Sequence, residues 1–197
     1  MAVHRTKALL IATTVELIDV RGAEALQVEE VLAASGVSRG SLYHHFADFY
    51  ELIEVAIAER FSASVDRSIT AITRLLDTAT TREECLAGLR QITEQTQARH
   101  LESVRFERAR ALGMAGTNER FRVILGAQEQ RVTDALADLF RRAQARGWMN
   151  SEFDAHAAAV LIQAYTLGRI VDDISPRQMD QDAWVDLISR LIERVFG

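Results

Sequence analysis

Nine consecutive residues, SRGSLYHHF at positions 38–46, bring together Ser38, Arg39, Ser41, Tyr43 and the adjacent pair His44 and His45. So many hydrogen-bonding side chains on one short segment suit three chemistries: a metal or catalytic centre, a solvated turn, or a surface that reads a polyanion. A metal needs convergent ligands. Neighbouring residues on a helix point about 100° apart, so His44 and His45 cannot chelate one ion. None of the five histidines stands in an E-x-x-H pair, which removes the di-iron bundle signature. The chain has no H-E-x-x-H, no P-loop, and one cysteine, Cys85, without an evident histidine partner. The expectation is no metal, no cofactor and no enzyme, with Cys85 a small residue on a helix.

The elements that must position this segment are helical. RTKALLIATTVELIDVRG carries Leu10, Ile11, Thr14, Leu17 and Ile18 on one stripe and ends at Gly22. VEEVLAAS forms a second, short helix stopped by Gly36, and Ser38 caps a third over roughly 38–45. Between the second and third lies a connection of about three residues containing glycine, the helix-turn-helix arrangement whose second helix fits the major groove of DNA. Leu42 and Phe46, four apart, face the core with Val37. Arg39, Gly40, Tyr43 and His44 then face outward, with Ser41 at the edge. Hydroxyls, an arginine and a histidine on an outward face suit phosphate oxygens and base edges. Gly40 removes a side chain where a helix can approach DNA closely.

Asp48 and Glu51 open a long fourth helix by a D-x-x-E capping box. Further helices are expected at about 81–99, 102–112, 117–146, 154–174 and 180–196, with Gly147 in the RGW that follows the 117–146 helix serving as its C-cap and Pro176 separating the final two. No stretch alternates as a half-buried strand does. The expected fold is all-α: an N-terminal three-helix helix-turn-helix domain over 1–47 and a C-terminal helical bundle over 48–197.

Hydrophobic residues at 48% and charged residues at 26% are ordinary for a globular chain. A net charge of -5 argues against coating nucleic acid non-specifically but leaves room for a local patch. No apolar run is long enough to span a bilayer, and MAVHRTKALL lacks a signal-peptide core. With one cysteine there is no internal disulfide, and a cytoplasmic location is expected.

The segment LLIATTVELIDVRG…VEEVLAASGVSRGSLYHHFADFYELI resembles the N-terminal domain of the tetracycline-repressor (TetR) family of transcriptional regulators, with GVSRGSLYHHF the most specific part. The remainder is similar in helical layout, glycine placement and length. The resemblance implies a homodimer with an N-terminal domain for double-stranded DNA and a C-terminal domain that binds an effector and dimerises. Carried over by position, Arg39, Ser41, Tyr43 and His44 meet DNA, Ser38 caps the recognition helix, and His45 reaches a phosphate or packs. Four positions depart from the family pattern: Gln27 in place of Ser or Thr, Thr13 and Thr14 in place of alanines, and Phe49 in place of a phosphate-contacting lysine. Residues 1–47 carry Arg5, Lys7, Arg21 and Arg39 against Glu16, Asp19, Glu24, Glu29 and Glu30, so modest non-specific affinity is expected. His4, Arg5 and Lys7 offer a basic N-terminal arm as compensation.

For the C-terminal part the resemblance implies a cavity for a small, mostly apolar effector. Candidate lining residues are Leu89, Thr96, His100, Val104, Phe121, Leu125 and Gln163, of which Thr96, His100 and Gln163 would orient the ligand. The last two helices are more apolar than one small core needs. Leu161, Tyr165, Gly168, Trp184, Leu187, Ile188 and Leu191 suit an isologous four-helix dimer interface, with Gly168 allowing close backbone approach. Two functional classes follow: a ligand-responsive DNA-binding regulator, more in keeping with a repressor, and a helical ligand-binding or adaptor dimer that has lost sequence-specific DNA binding.

Overall fold

The computed structural model describes residues 2–195, with side chains described from residue 5 to residue 194. Ten α-helices follow in order: α1 (Ala2–Arg21), α2 (Val28–Ser35), α3 (Arg39–His45), α4 (Phe49–Thr78), α5 (Arg82–Thr96), α6 (Glu102–Thr117), α7 (Glu119–Ala145), α8 (Ala155–Gly168), α9 (Ile170–Asp173) and α10 (Gln181–Val195). No strand occurs among the described residues. None of their helices is long and apolar enough to cross a membrane. The chain forms two compact units. One is Met1–Ser64 with Met114–Gln128; the other is Val65–Gly113 with Glu129–Gly197.

The core of the first unit joins Leu10 and Ile18 of α1, Val31 of α2, Leu42 of α3, Phe46, and Leu52, Ile53 and Ala56 of α4. Thr13 and Thr14 are buried beside them. The Thr14 hydroxyl donates to the Leu10 carbonyl at 2.7 Å, so a polar group sits in the core without an unmet donor. Gln27 precedes α2 in extended backbone, and the Glu30 carboxylate accepts its N–H at 3.0 Å. Glu30 thus satisfies the Gln27 N–H, and the Gln27 side chain faces the Glu30 N–H to complete a capping box. Asp48 accepts the Glu51 N–H at 2.6 Å, while the Glu51 carboxylate reaches back to the Ala47 N–H at 2.5 Å.

This unit extends beyond the 47/48 boundary expected from sequence. Glu54, on the buried side of α4, accepts from Asn118 Nδ2 at 2.6 Å and Arg120 Nε at 2.7 Å. The Glu54 hydrogen bond holds the Arg120 guanidinium well above its ordinary pKa. Asn118 also caps α7 through the Phe121 N–H at 3.0 Å. Phe121 and Leu125, one helical turn apart, are consequently core residues of this unit. The expectation that they line an effector cavity is corrected: their apolar bulk is spent on the first unit.

In the second unit Thr81 caps α5 and Glu84 returns to the Thr81 N–H at 3.3 Å, a capping box. Gly88 lies against Leu75, leaving no space for a Cβ between α4 and α5. Gly147, at φ 71°, closes α7, with the Trp148 N–H returning to the Ala143 carbonyl at 2.9 Å. Cys85 is fully buried and its thiol is pushed up by burial, against a smaller opposing pull from Arg146. The helix expected over 154–174 is in fact two, divided at Gly168 and Arg169. Gly168 is the weakest helix former there, and the buried Arg169 anchors the division by donating to the Gln97 carbonyl.

Arg169 belongs to a buried polar cluster. Arg105 grips Asp173 with two bonds of 2.5 and 2.7 Å and donates a third to the Ala98 carbonyl at 3.0 Å. The Arg105 and Asp173 side chains are 5% and 4% exposed. Trp184 Nε1 donates to Gln97 Oε1 at 3.1 Å. Burial lowers the Arg169 pKa first, and the Arg105 charge adds to that, with Asp173 opposing. Asp173 is therefore the carboxylate that makes two buried guanidiniums tolerable. Asp173→Asn should destabilise the fold by about 3–5 kcal/mol, because one partner's loss leaves a buried charge uncompensated. Asp186→Asn, which breaks the exposed i,i+4 pair with Arg190, should leave the urea midpoint nearly unchanged. Equal shifts in the two urea titrations would refute this account.

Candidate nucleic-acid interface and ligand cavity

The placement of α3 starts from its caps. Ser38 sits in extended backbone and its Oγ accepts the Ser41 N–H at 3.3 Å. Gly36 ends α2 in the left-handed region at φ 67°, donating its N–H to the Leu32 carbonyl at 3.0 Å. A non-glycine residue would be strained there. Between these caps the turn is short, and α3 is docked by Leu42, fully buried, and Phe46. With a period of 3.6 residues, burying 42 and 46 turns 39, 40, 43 and 44 away from the core. Arg39, Gly40, Tyr43 and His44 are exposed, Tyr43 by 44%, and Ser41 and His45 are half-buried. Nothing lies within 4 Å of where a Gly40 Cβ would stand. The seven positions singled out in the sequence, Ser38 to Ser41 and Tyr43 to His45, thus share one helix and its cap. Their outward members form a continuous polar face.

The surroundings of that face add what the sequence did not show. Arg39 is ion-paired with Glu29 of α2, both side chains exposed. Backbone hydrogen bonding lowers the Glu29 pKa first, and the Arg39 hydrogen bond lowers it further. Arg21 is paired with Glu30. Lys7 stands over the Phe46 ring at 5.3 Å from its centroid, so it caps an aromatic face as part of α1, where the sequence suggested a basic arm. The His4 side chain lies outside the described residues. Phe49 is half-buried against the core of this unit; the residue that replaces a family lysine is a packing residue.

In the second unit α4 to α8 and α10 enclose a cavity of about 390 Å³, within the range of small-molecule sites. Ile72, Leu89, Ile92, Val132, Leu136, Phe140, Ile162 and Ile188 supply apolar wall. Thr93 and Tyr165 bring their hydroxyls to 3.4 Å of each other. Burial raises the Tyr165 pKa, with the Thr93 and Thr166 hydrogen bonds opposing, so the phenol is neutral. Gln163 Nε2 donates to the Thr133 hydroxyl at 2.9 Å.

Of the expected lining residues, Leu89, Thr96 and Gln163 are in the wall. Val104 and His100 are not: both are exposed, His100 on the turn before α6. The wall drawn from α4 and α7 was missed. Ile72, Leu136 and Phe140 read as ordinary core positions, and no local pattern separates a cavity wall from a packed interior.

The expected dimer residues divide. Leu161, Leu187 and Leu191 are 61%, 50% and 55% exposed, and Gly168 is exposed with open space about it. Ile188 is buried, Trp184 is tied to Gln97 and Tyr165 to Thr93. Trp184 and Ile188 face the chain's own interior because α10 turns its 184/188 side inward and its 187/191 side outward, and Tyr165 of α8 is held there by Thr93.

A short turn between two helices, the second presenting a polar outward face, defines a helix-turn-helix regulator fold. Residues 10–56 match the family described as bacterial regulatory proteins, tetR family, so this N-terminal segment is similar to that family. No protein of curated function matches the sequence. Solved structures share the fold along nearly the whole length. Salmonella enterica GusR is similar at 19% identity and a TM-score of 0.71, over 98% of this chain and 95% of that one. The reduced form of Escherichia coli NemR is similar at 19% and 0.66, over 98% of each. A tetR-family regulatory protein from Rhodococcus RHA1 is similar at 20% and 0.59, over 98% and 97%.

Ser38→Ala should cost about 1 kcal/mol through the lost cap of α3. Ser38→Gly should cost only a few tenths. Thermal unfolding of the two variants checks the order, and a reversed order would remove the capping role.

Proposed function

We propose that the protein is a ligand-responsive transcriptional repressor that binds a near-palindromic operator as a homodimer. In this reading residues 1–47 read DNA, and residues 48–197 bind the effector and dimerise. The observation that carries it is the outward face of α3, where Arg39, Gly40, Tyr43 and His44 stand together over open space. Arg39 reads a base by a bidentate contact to guanine. Ser41, Tyr43 and His44 hold phosphate oxygens, which position the helix without reading sequence, and His45 supports the same backbone contact. Two recognition helices set about 34–36 Å apart, or a multiple, would ask for a near-palindrome.

Leu161, Leu187 and Leu191 offer the apolar surface that a second copy covers, and Gly168 permits close approach of its backbone. Leu187→Glu with Leu191→Glu should give monomers or insoluble protein. An unchanged dimer mass by light scattering would place the interface elsewhere. The effector occupies the cavity of the second unit. A tenfold loss of operator affinity needs only about 1.4 kcal/mol of preference for the non-binding state.

The Glu29–Arg39 pair makes the DNA reading specific in its consequences. Glu29 brings a negative charge to the face that meets phosphates and also holds Arg39 in one orientation. Glu29→Gln should therefore raise affinity for scrambled DNA more than for the operator. Arg39→Ala should weaken the operator by about 1–3 kcal/mol more than scrambled DNA. Tyr43→Phe should weaken both alike. Fluorescence anisotropy on matched and scrambled duplexes measures all three, and equal losses for Arg39→Ala would reassign it to the backbone.

The alternative is a ligand-binding or adaptor dimer without sequence-specific DNA binding. Phe49, packed where a phosphate-binding lysine would stand, favours it. Selection from a random duplex library separates the two: no enriched sequence supports the adaptor, and an enriched palindrome removes it.

A further inference from the structure

The cavity of the second unit is apolar, but its few charged side chains are all of one sign. Arg67 of α4 and Arg108 of α6 are in the wall, and no aspartate or glutamate is. Glu129, which is not in the wall, accepts from Arg108 Nη2 at 2.9 and 3.1 Å and so answers that one of the two charges. A lipophilic cation entering here would lose its water, find no carboxylate beyond the Glu129 already engaged by Arg108, and approach the Arg67 guanidinium. A carboxylate would meet a planar guanidinium fork suited to it, while its apolar body replaces water along the Ile and Leu wall. The polar remainder of the wall is hydroxyl and amide. Thr93, Thr96, Gln95 and Gln163 can orient a head group without adding charge, and the neutral Tyr165 phenol adds no negative charge of its own.

Building on the reading that this cavity holds the effector, we propose that the effector is an amphipathic anion, a mainly apolar molecule ending in a carboxylate. The Arg67 and Arg108 guanidiniums select the head group, and the apolar wall selects the body. Arg67 is the more telling of the two. It is exposed, so replacing it tests charge selection without disturbing the core.

The experiment is isothermal titration of the full chain with three probes of equal chain length: dodecanoate, 1-dodecanol and dodecyltrimethylammonium, each below its micelle concentration. Dodecanoate should bind about tenfold tighter than dodecanol, as expected for a charge-assisted bond over a neutral one. The ammonium probe should bind more weakly than the alcohol. Arg67→Gln should narrow the gap between acid and alcohol by weakening dodecanoate more than dodecanol. Arg67→Gln with Arg108→Gln should abolish the gap, with thermal unfolding confirming that the double variant is folded. Equal binding of acid and alcohol, an ammonium probe that binds as tightly as the acid, or an acid preference that survives in the double variant would each overturn the anion selectivity alone. Failure of all three probes to bind a folded, DNA-binding protein would instead overturn the reading of the cavity as an effector site.

Discussion

The burial of Leu42 and Phe46 is the constraint on which the outward face of α3 depends. Both fill the core that α1, α2 and α4 build, and a seven-residue helix has few other ways to settle. Once those two positions face inward, helical geometry leaves no freedom about which residues face out. Neither Arg39 nor Tyr43 belongs to the core that holds α3. They can be chosen for what they touch, because the apolar pair and the Ser38 cap already hold the helix. Gly36 completes the constraint by turning the chain within a connection too short for most residues to follow.

Charge placement shows a second economy. On the N-terminal unit acids sit beside the cations of the reading face, with Glu29 against Arg39 and Glu30 against Arg21. Such exposed pairs add little stability; under the proposed DNA reading they lower the indiscriminate attraction to phosphate and orient an arginine. In the C-terminal unit the pairs are buried and their effect is structural. Asp173 answers Arg105 directly and Arg169 at 3.9 Å, where low polarity makes an unanswered charge expensive. The same residue types thus serve recognition where water screens them and architecture where it does not.

Much of this protein was legible in its sequence because the signals are local. Helix stripes, the Ser38 cap, the Asp48 and Glu51 box, Gly147 and the inward pair at 42 and 46 each depend on residues a few positions apart. That is why the helix-turn-helix, its outward residues and the all-α class could be read without coordinates. The split of α8 from α9 could not, since it turns on Arg169 reaching Gln97, 72 residues away.

The same distinction separates the site residues. The DNA-facing set lies on one short helix whose register the sequence determines by itself. The cavity does not: whether Phe121 is core or wall, and whether Ile188 is interior or interface, depends on which helix meets which. An apolar residue carries no mark of the neighbour it will find, because hydrophobic burial is non-directional. Only the tertiary structure decided that Phe121 and Leu125 close the first unit and that Ile72, Leu136 and Phe140 surround a cavity. It also paired Arg39 with Glu29, an ion pair between residues ten positions apart on two helices.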